Sequence, residues 1–252
     1  MQQKEKYIYR TSLNDMASAN EIAPVIYHLI KPTAVVDFGC GTGTFLRAFK
    51  DLGVEEILGL DGNWGDPVLR SKYIDSSVFK EADLEAPVTL PKKYDLAICL
   101  EVAEHLKETA ADTLVSSLTH ASDYILFSAA VPGQGGQHHI NEQWSEYWEK
   151  KFNNSNYLFH DVLRPLFWNN ENIDWWYKQN MFMVVRKDAN IDLNDPSLYA
   201  KTNFHSKLIH PEILASKAWE TERIMRGDLT VKEYWHLFWN AIFTKMKRKL
   251  GK

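Results

Sequence analysis

The stretch that decides the fold reads Val36-Asp37-Phe38-Gly39-Cys40-Gly41-Thr42-Gly43-Thr44-Phe45. It begins in an apolar run typical of a buried strand, and helical spacing of apolar residues starts where it ends. Glycines in such a turn let the backbone approach a ligand closely, and the first turn of a helix offers unpaired N–H groups. The stretch therefore predicts a ligand-binding turn between a strand and a helix.

The spacing of the three glycines separates this turn from two other ligand-binding loops. Gly43 arrives one residue too early for the G-x-G-x-x-G pattern that lies under a pyrophosphate. Asp37 would also repel a pyrophosphate, whereas its carboxylate can accept hydrogen bonds from an ammonium group. No G-x-x-x-x-G-K-[ST] run is present, which excludes a phosphate-binding loop of that type. The glycine spacing therefore disfavours an NAD-dependent dehydrogenase.

The rest of the chain alternates between strand-like and helix-like segments. Strands are predicted at 34–38, 56–60, 94–100, 123–129, 157–163 and 181–186, and helices at 20–30, 42–52, 101–118 and 141–152. This alternation predicts an α/β fold with a doubly wound sheet. Beyond Arg186 the chain is polar, and it becomes helical from Pro211 onward. We therefore expect one domain at 1–189, including an N-terminal helix, and a helical C-terminal extension at 190–252.

Composition and charge limit the class of protein. Of the 252 residues, 45% are hydrophobic, which suffices for one sizeable core, and the formal net charge is −4. The acidic excess argues against binding to duplex nucleic acid, because a protein that binds it needs a basic face. The start, MQQKEKYIYR, is unlike a secretory signal, and no apolar run is long enough to span a membrane. With only two cysteines, Cys40 and Cys99, these features predict a cytoplasmic protein without a disulfide framework.

The run from Asp37 to Gly43 resembles the first motif of the class I S-adenosylmethionine-dependent methyltransferases, an acid followed by x-G-x-G-x-G. The resemblance implies a mostly parallel, seven-stranded Rossmann-like sheet whose glycine turn holds the methionine part of the cofactor. It also implies that Asp61 binds the ribose hydroxyls and that Asp83 meets the adenine amino group. The implied cofactor residues are Asp37, Gly39, Gly41, Gly43, Asp61, Gly62, Asp83, Leu84 and Glu101. The alternative for Asp61 and Asp83 is a purely local role in capping helices.

A second motif, Glu-x-x-Glu-His, follows the predicted strand 94–100. If a helix begins at Glu101, then Glu101, Glu104 and His105 share one of its faces, at the crevice beside the first strand. Such a group can bind a divalent cation, or one of its members can act as general base on a hydroxyl. The motif resembles that of metal-assisted small-RNA 2′-O-methyltransferases and of ubiquinone-pathway O-methyltransferases. That resemblance implies a magnesium or manganese site formed by Glu101, Glu104, His105 and a later histidine, although many methyltransferases with Glu-His here bind no metal.

The loop after the predicted strand 123–129 supplies the later histidine. It reads Gly-Gly-Gln-His-His-Ile-Asn-Glu-Gln-Trp from Gly135 to Trp144, and His138 and His139 are both candidates. The run resembles a subgroup of bacterial methyltransferases from gene clusters for surface glycans and capsules. We expect His139, Glu104 and His105 to be catalytic, in O-methylation of a small hydroxylated, sugar-linked or phosphorylated acceptor. N-methylation and a non-catalytic scaffold of a membrane-associated assembly are the alternatives, and Arg164 is expected to contact an anionic substrate group or to form an ion pair.

The last segment combines an apolar stripe with a basic end. Trp235, Phe238, Trp239, Ile242, Phe243 and Met246 recur at helical spacing, and Lys245, Lys247, Arg248, Lys249 and Lys252 follow or interrupt them. Such a helix can lie on an anionic membrane surface or dock on a protein partner. We therefore predict a peripheral membrane or protein contact through residues 232–252, with packing on its own domain as the alternative. The expected location is the cytoplasm, including the cytoplasmic face of the inner membrane.

Overall fold

The computed structural model describes residues 16–62, 65–189 and 209–250. The chain divides into two compact units, Met1–Leu208 and Ile209–Lys252. The predicted boundary at 189/190 falls at the edge of the described part, so it stays a prediction. Residues 1–15 of the predicted first domain, residues 190–208 of the predicted extension and Lys252 of its basic end lie outside the described residues.

A mixed seven-stranded sheet forms the centre of the first unit. Its strands are β1 (Ala34–Phe38), β2 (Glu56–Asp61), β3 (Phe79–Glu81), β4 (Leu96–Leu100), β5 (Tyr124–Ser128), β6 (Tyr157–His160) and β7 (Phe182–Arg186). Their order is β3-β2-β1-β4-β5-β7-β6. All neighbours are parallel except β7, which runs antiparallel to both β5 and β6. This is the class I methyltransferase fold, so the predicted α/β class and mostly parallel sheet are confirmed.

Helices cover the sheet and connect its strands. They are α1 (Ala17–Ile30), α2 (Thr44–Asp51), α3 (Pro67–Arg70), α4 (Ala111–Ala121), α5 (Ser145–Asn154), α6 (Leu163–Phe167) and α7 (Trp175–Asn180). Lys31 ends α1 in the left-handed conformation at φ 49°, and Pro32 then prevents continuation of the helix.

Buried apolar residues lie on both faces of the sheet. One cluster joins Phe127 to Trp148 and Phe152, and the other joins Val35 and Leu126 to side chains of α1, α2 and α6. Every residue of β1 and β4 is buried. Strands covered on both faces need mostly apolar residues, which is why the sequence pattern indicates β1 and β4 clearly. The polar side chains of the site follow the carboxyl ends of these central strands.

The segment after β4 differs from the predicted helix 101–118. Glu101 has φ 54°, in the left-handed region, and is followed by short 3₁₀ turns at Ala103–His105 and Glu108–Ala110 before α4 begins. The backbone N–H of Glu101 donates to the carbonyl and to the hydroxyl of Ser128, at 3.2 and 3.0 Å. These bonds tie the segment to β5 and replace the first turn of the expected helix.

The second unit consists of helix α8 (Pro211–Arg226) and helix α9 (Val231–Leu250). Gly227 separates them with φ 81°, a left-handed conformation that glycine adopts without strain. Among the described residues, neither helix nor any other combines the length and the apolar character that crossing a membrane requires.

Candidate active site

The glycine turn between β1 and α2 is closely packed. Gly39, Gly41 and Gly43 have φ values of 86°, 54° and 86°. A Cβ at Gly39 would lie 2.3 Å from Cγ2 of Val102, and one at Gly43 would lie 2.8 Å from Cδ1 of Ile74. Contacts this short are forbidden, so the turn between the β1 and β4 ends requires glycine at both positions.

Asp61 at the end of β2 holds the glycine turn in place. The register pairs Phe38 with Leu60, which puts Asp61 beside the first glycine. Its Oδ2 accepts the N–H of Gly41 at 2.7 Å, and its Oδ1 accepts the N–H of Gly62 at 2.6 Å. These bonds give Asp61 a structural role beside the glycine turn, and its contact with a ribose stays a prediction.

The remaining predicted cofactor residues divide into buried and exposed groups. Asp37 is buried, and burial together with the negative charge of Asp61 raises the pKa of its carboxyl well above the usual value. Leu84 is buried in the core cluster that contains Phe38. Asp83 is exposed, and its Oδ1 accepts the backbone N–H of Glu85 at 3.0 Å in a local turn that starts no helix, so its predicted contact with the adenine stays a prediction.

Glu101 belongs to a network of buried side-chain amides. Its carboxylate accepts hydrogen bonds from Nε2 of Gln134 at 2.8 Å and from Nδ2 of Asn180 at 3.0 Å. Nδ2 of Asn180 also donates to Oε1 of Gln134 at 2.8 Å. Burial raises the pKa of Glu101, although these hydrogen bonds oppose the shift. Glu101 therefore has amide partners of its own, although its charge acts on the neighbouring Glu104.

Glu104, His105 and His139 come together in space. Each can offer one ligand atom such that the three atoms lie within 4.8 Å of one another. Nε2 of His139 lies 4.0 Å from Oε1 of Glu104, and the rings of His105 and His139 meet edge to face with centroids 4.9 Å apart. The structure thus joins His139, rather than His138, to this group.

Electrostatics set the protonation of this group. Glu104 is fully buried, neither of its carboxylate oxygens has a hydrogen-bond partner, and burial with the nearby charge of Glu101 raises its pKa well above the usual value. The amides of Glu104 and Ala130 oppose this rise without cancelling it. Burial and the neighbouring His139 lower the pKa of His105 to about 4. At neutral pH, His105 is therefore neutral, and the cavity around Glu104 disfavours a lone negative charge.

Glu142 orients His139. Its Oε1 lies 2.9 Å from Nδ1 of His139, and its carboxylate also accepts the N–H groups of Gly133 and Gly135 at 2.7 and 2.6 Å. Burial would raise the pKa of Glu142, but these hydrogen bonds outweigh it and leave the pKa lowered. Because a carboxylate only accepts, Nδ1 of His139 carries the hydrogen and Nε2 keeps its lone pair.

Arg164 forms a buried ion pair within the domain. It is fully buried, its Nε donates to Oδ1 of Asp161 at 2.8 Å, and its guanidinium lies 4.5 Å from the ring centre of Phe182. The sequence predicts either a substrate contact or a surface ion pair for Arg164; the structure contains the ion pair, but the arginine is buried rather than at the surface.

Comparison with known proteins gives the family. The sequence profile of a family described as a methyltransferase domain matches residues 16–186, which is more than half of the chain. This chain belongs to the methyltransferase domain family. A sequence search of curated proteins gives no significant match.

Solved structures resemble the methyltransferase domain at low sequence identity. DesVI from Streptomyces venezuelae aligns with a TM-score of 0.52 and 12% identity, over 68% of this chain and 91% of that one. CalS10, an amino pentose methyltransferase from Micromonospora echinaspora, gives 0.49 and 12%, over 73% and 100%. Magnesium protoporphyrin IX methyltransferase from Synechocystis PCC 6803 gives 0.48 and 16%, over 73% and 90%. At such identities a structural likeness concerns the fold, and DesVI is the one from which we infer it.

Sequence reasoning missed three positioning residues of the methyltransferase domain. Gln134 and Asn180 hold Glu101, and Glu142 holds His139, from positions far apart in the chain. Residue type and spacing indicate no partner for Gln134, Asn180 or Glu142. A histidine three residues before a glutamate in a glycine-rich loop was the available signal for Glu142.

Proposed function

We propose that the methyltransferase domain transfers the methyl group of S-adenosylmethionine to a hydroxyl oxygen of a small acceptor. One observation carries the proposal: the buried Glu104 and the half-buried His105 and His139 form a cluster that follows β4 and β5, at the same sheet edge as the glycine turn. The cofactor supplies an electrophilic methyl group, and a neutral hydroxyl needs help in losing its proton. An amine would need less help, so the cluster favours oxygen over nitrogen as acceptor.

The edge formed by β1 and β2 supports the cofactor assignment. The turn of Gly39, Gly41 and Gly43 allows close approach of a ligand, and Asp61 anchors that turn through its backbone amides. The buried Asp37 has a raised pKa, so the ammonium group of a methionine part would stabilise its ionised form. Asp83 is exposed and available to a nucleobase at the rim.

His139 is the residue we assign as general base. Its Nε2 carries a lone pair because Nδ1 donates to Glu142. In the reaction, the acceptor O–H proton moves to Nε2, the oxygen forms a bond to the methyl carbon, and the carbon–sulfur bond breaks. The products are a methyl ether and S-adenosylhomocysteine, and the protonated His139 is stabilised by the carboxylate of Glu142.

As an alternative way to activate the acceptor, the same three side chains fit a divalent cation, which we propose to be manganese or magnesium; Nε2 of His139 would then be a ligand and not the base. Glu104 supplies a buried carboxylate without hydrogen-bond partners, and His105 is neutral at physiological pH, as a ligand must be. A bound cation would lower the pKa of an acceptor hydroxyl. Glu101 would support such a site from the neighbouring amide network rather than as a ligand.

The acceptor class is inferred from the loop after β5. Its resemblance to methyltransferases of surface-glycan and capsule clusters supports a sugar-linked or phosphorylated small molecule. The buried ion pair of Arg164 with Asp161 gives no support to recognition of an anionic group by that arginine.

Two measurements test the proposed function. Calorimetry should detect binding of S-adenosylhomocysteine to the wild type, loss of that binding in Asp61→Ala, and normal binding in Asp51→Asn, a change at an exposed ion pair. Methyl transfer to a panel of nucleotide sugars, sugar phosphates and hydroxylated metabolites should then fail in His139→Ala, which should still bind S-adenosylhomocysteine. Absence of binding to the wild type contradicts the cofactor assignment, and full turnover by His139→Ala contradicts the base.

A further inference from the structure

Helix α9 presents an exposed row of aromatic side chains. Trp235, Phe238, Trp239, Phe243 and Met246 each expose between 47% and 56% of their surface. The rings of Trp235 and Trp239 stack with centroids 6.0 Å apart, and Trp239 and Phe243 are also 6.0 Å apart. Because these residues are spaced by three or four, they share one side of the helix. Apolar patches of this kind on a protein surface mark contacts with another molecule or a membrane.

Charge is distributed unevenly along the same helix. Residues 231–252 contain six lysines and arginines and only one acid, Glu233, although the whole chain has a net charge of −4. Five of the six basic residues lie at 245–252, directly after the aromatic row, and Lys245 is exposed. The single acid lies at the opposite end of the helix, 3.6 Å from Arg223. The aromatic row is thus followed by uncompensated positive charge.

We propose that α9 binds the protein to an anionic lipid surface. Tryptophan is favoured at the boundary between headgroups and acyl chains, since its ring is apolar and its N–H is polar. A helix with an aromatic side and a lysine-rich end binds in the plane of such an interface, where the lysines meet anionic headgroups. No described helix is able to span a bilayer, so the binding is peripheral. Two copies of the protein that paired side by side through α9 would bring their basic ends together, and these would repel each other. The positive charge therefore favours anionic lipid over a second copy of this chain.

The full chain should be tested with vesicles of phosphatidylcholine alone and of phosphatidylcholine mixed with phosphatidylglycerol. Sedimentation should show binding to the mixed vesicles only, weakened by high salt, with a blue shift of tryptophan fluorescence. The variant Lys245→Glu/Lys247→Glu/Arg248→Glu should bind about a hundredfold more weakly. Trp235→Ser/Trp239→Ser should lose most of the binding, while Val68→Ser, a change at an exposed apolar residue of the other unit, should bind normally.

Two outcomes would overturn this proposal. One is equal binding, or none, to both kinds of vesicle. The other is self-association of the wild type that Trp235→Ser/Trp239→Ser abolishes, which would identify a second copy as the occupant. S-adenosylhomocysteine binding serves as the measure of folding in every variant, so a failure of membrane binding leaves the proposed methyl transfer unaffected. Circular dichroism should confirm that the triple charge reversal leaves the helical content unchanged.

Discussion

Nδ1 of His139 lies 2.9 Å from Oε1 of Glu142, and this contact determines which nitrogen of the ring can act as a base or as a ligand. The same carboxylate accepts two backbone amides of the loop that leads to His139. One side chain thus fixes both the tautomer of the ring and the path of its loop. In sites of this type, such a partner contributes to activity without touching the substrate.

Replacing Glu142 by glutamine should lower activity without affecting cofactor binding. The amide cannot supply the negative charge, and its single oxygen cannot accept the N–H groups of both Gly133 and Gly135, which bond to different oxygens of Glu142. We expect kcat to fall about 10- to 100-fold. The KM for S-adenosylmethionine and the affinity for S-adenosylhomocysteine should stay within about twofold, since the glycine turn is untouched.

Glu171→Gln is the matched control for this change, because Glu171 is exposed and lies on a different loop. It should have wild-type kinetics. A loss confined to KM in Glu142→Gln, or a similar loss in Glu171→Gln, would show that Glu142 does not orient the catalytic ring.

Gly136 should be intolerant of a side chain because of His139. A Cβ there would lie 2.3 Å from Nε2 of His139, so the imidazole ring of His139 must move in the variant Gly136→Ala. A displacement of about 1 Å at a reacting group can cost about a hundredfold in rate. We expect a loss of this order in kcat, measured at saturating S-adenosylmethionine, together with a loss of stability like that of other glycines with positive φ, because φ at Gly136 is 158°.

The control for Gly136→Ala is Gly53→Ala. Gly53 has φ 97°, and nothing lies within 4 Å of a Cβ placed there. This variant carries backbone strain of about 1 kcal/mol without moving a catalytic ring. It should lose stability and keep kcat. If both glycine variants lose the same activity, strain rather than displacement of His139 is the cause.

The fold was predictable where segments were long and apolar or rich in glycine. The central strands β1, β4 and β5 are almost wholly buried, so their sequences are mostly apolar, with Asp37 in β1 and Ser128 in β5 as polar exceptions. The three-residue strand β3 and the end of β6 at His160 left no comparable pattern. The predicted helix at Glu101 is absent because hydrogen bonds to Ser128, which are not visible in local sequence, hold that residue in a left-handed conformation.

The site was predictable to the extent that residue type limits chemistry. Glutamate and histidine after β4 and a histidine after β5 indicated a cluster, since parallel strands end at one edge of a sheet. Which members meet depended on side-chain direction, and that direction comes from Gln134, Asn180 and Glu142. These contacts span up to 79 positions in the chain, so spacing alone could not assign Glu101 to the amide network.

Arg164 should contribute to stability rather than to acceptor recognition. Its guanidinium is buried and paired with Asp161, so Arg164→Met leaves a half-buried carboxylate without its partner. Breaking a buried ion pair costs about 3 kcal/mol. We expect a loss of this size in urea denaturation, with the KM for the acceptor unchanged.

The exposed pair of Arg47 and Asp51 provides the comparison. Arg47→Met should leave the unfolding midpoint where it is, because exposed ion pairs contribute little. A stable Arg164→Met variant with a strongly raised KM for the acceptor would instead show that Arg164 meets the substrate.

The stability of Glu104→Gln should depend on pH in a way that reveals the buried charge. Burial and the charge of Glu101 raise the folded-state pKa of Glu104 above its unfolded value. The wild type therefore has its full stability when Glu104 is protonated, and it loses stability as the pH rises through the folded-state pKa. Each unit of the shift corresponds to about 1.4 kcal/mol. Urea denaturation should show Glu104→Gln to be more stable than the wild type at about pH 8, with a smaller difference at about pH 5.

A divalent cation should reverse this order. If manganese binds Glu104, His105 and His139, it stabilises the ionised carboxylate, so adding it at about pH 8 should raise the unfolding midpoint of the wild type and not of Glu104→Gln. Glu171→Gln, which keeps the cluster, should respond as the wild type does. Equal stabilisation of all three proteins would mean that the cation binds elsewhere. A Glu104→Gln variant that is equally destabilised at both pH values would mean that Glu104 carries no uncompensated charge.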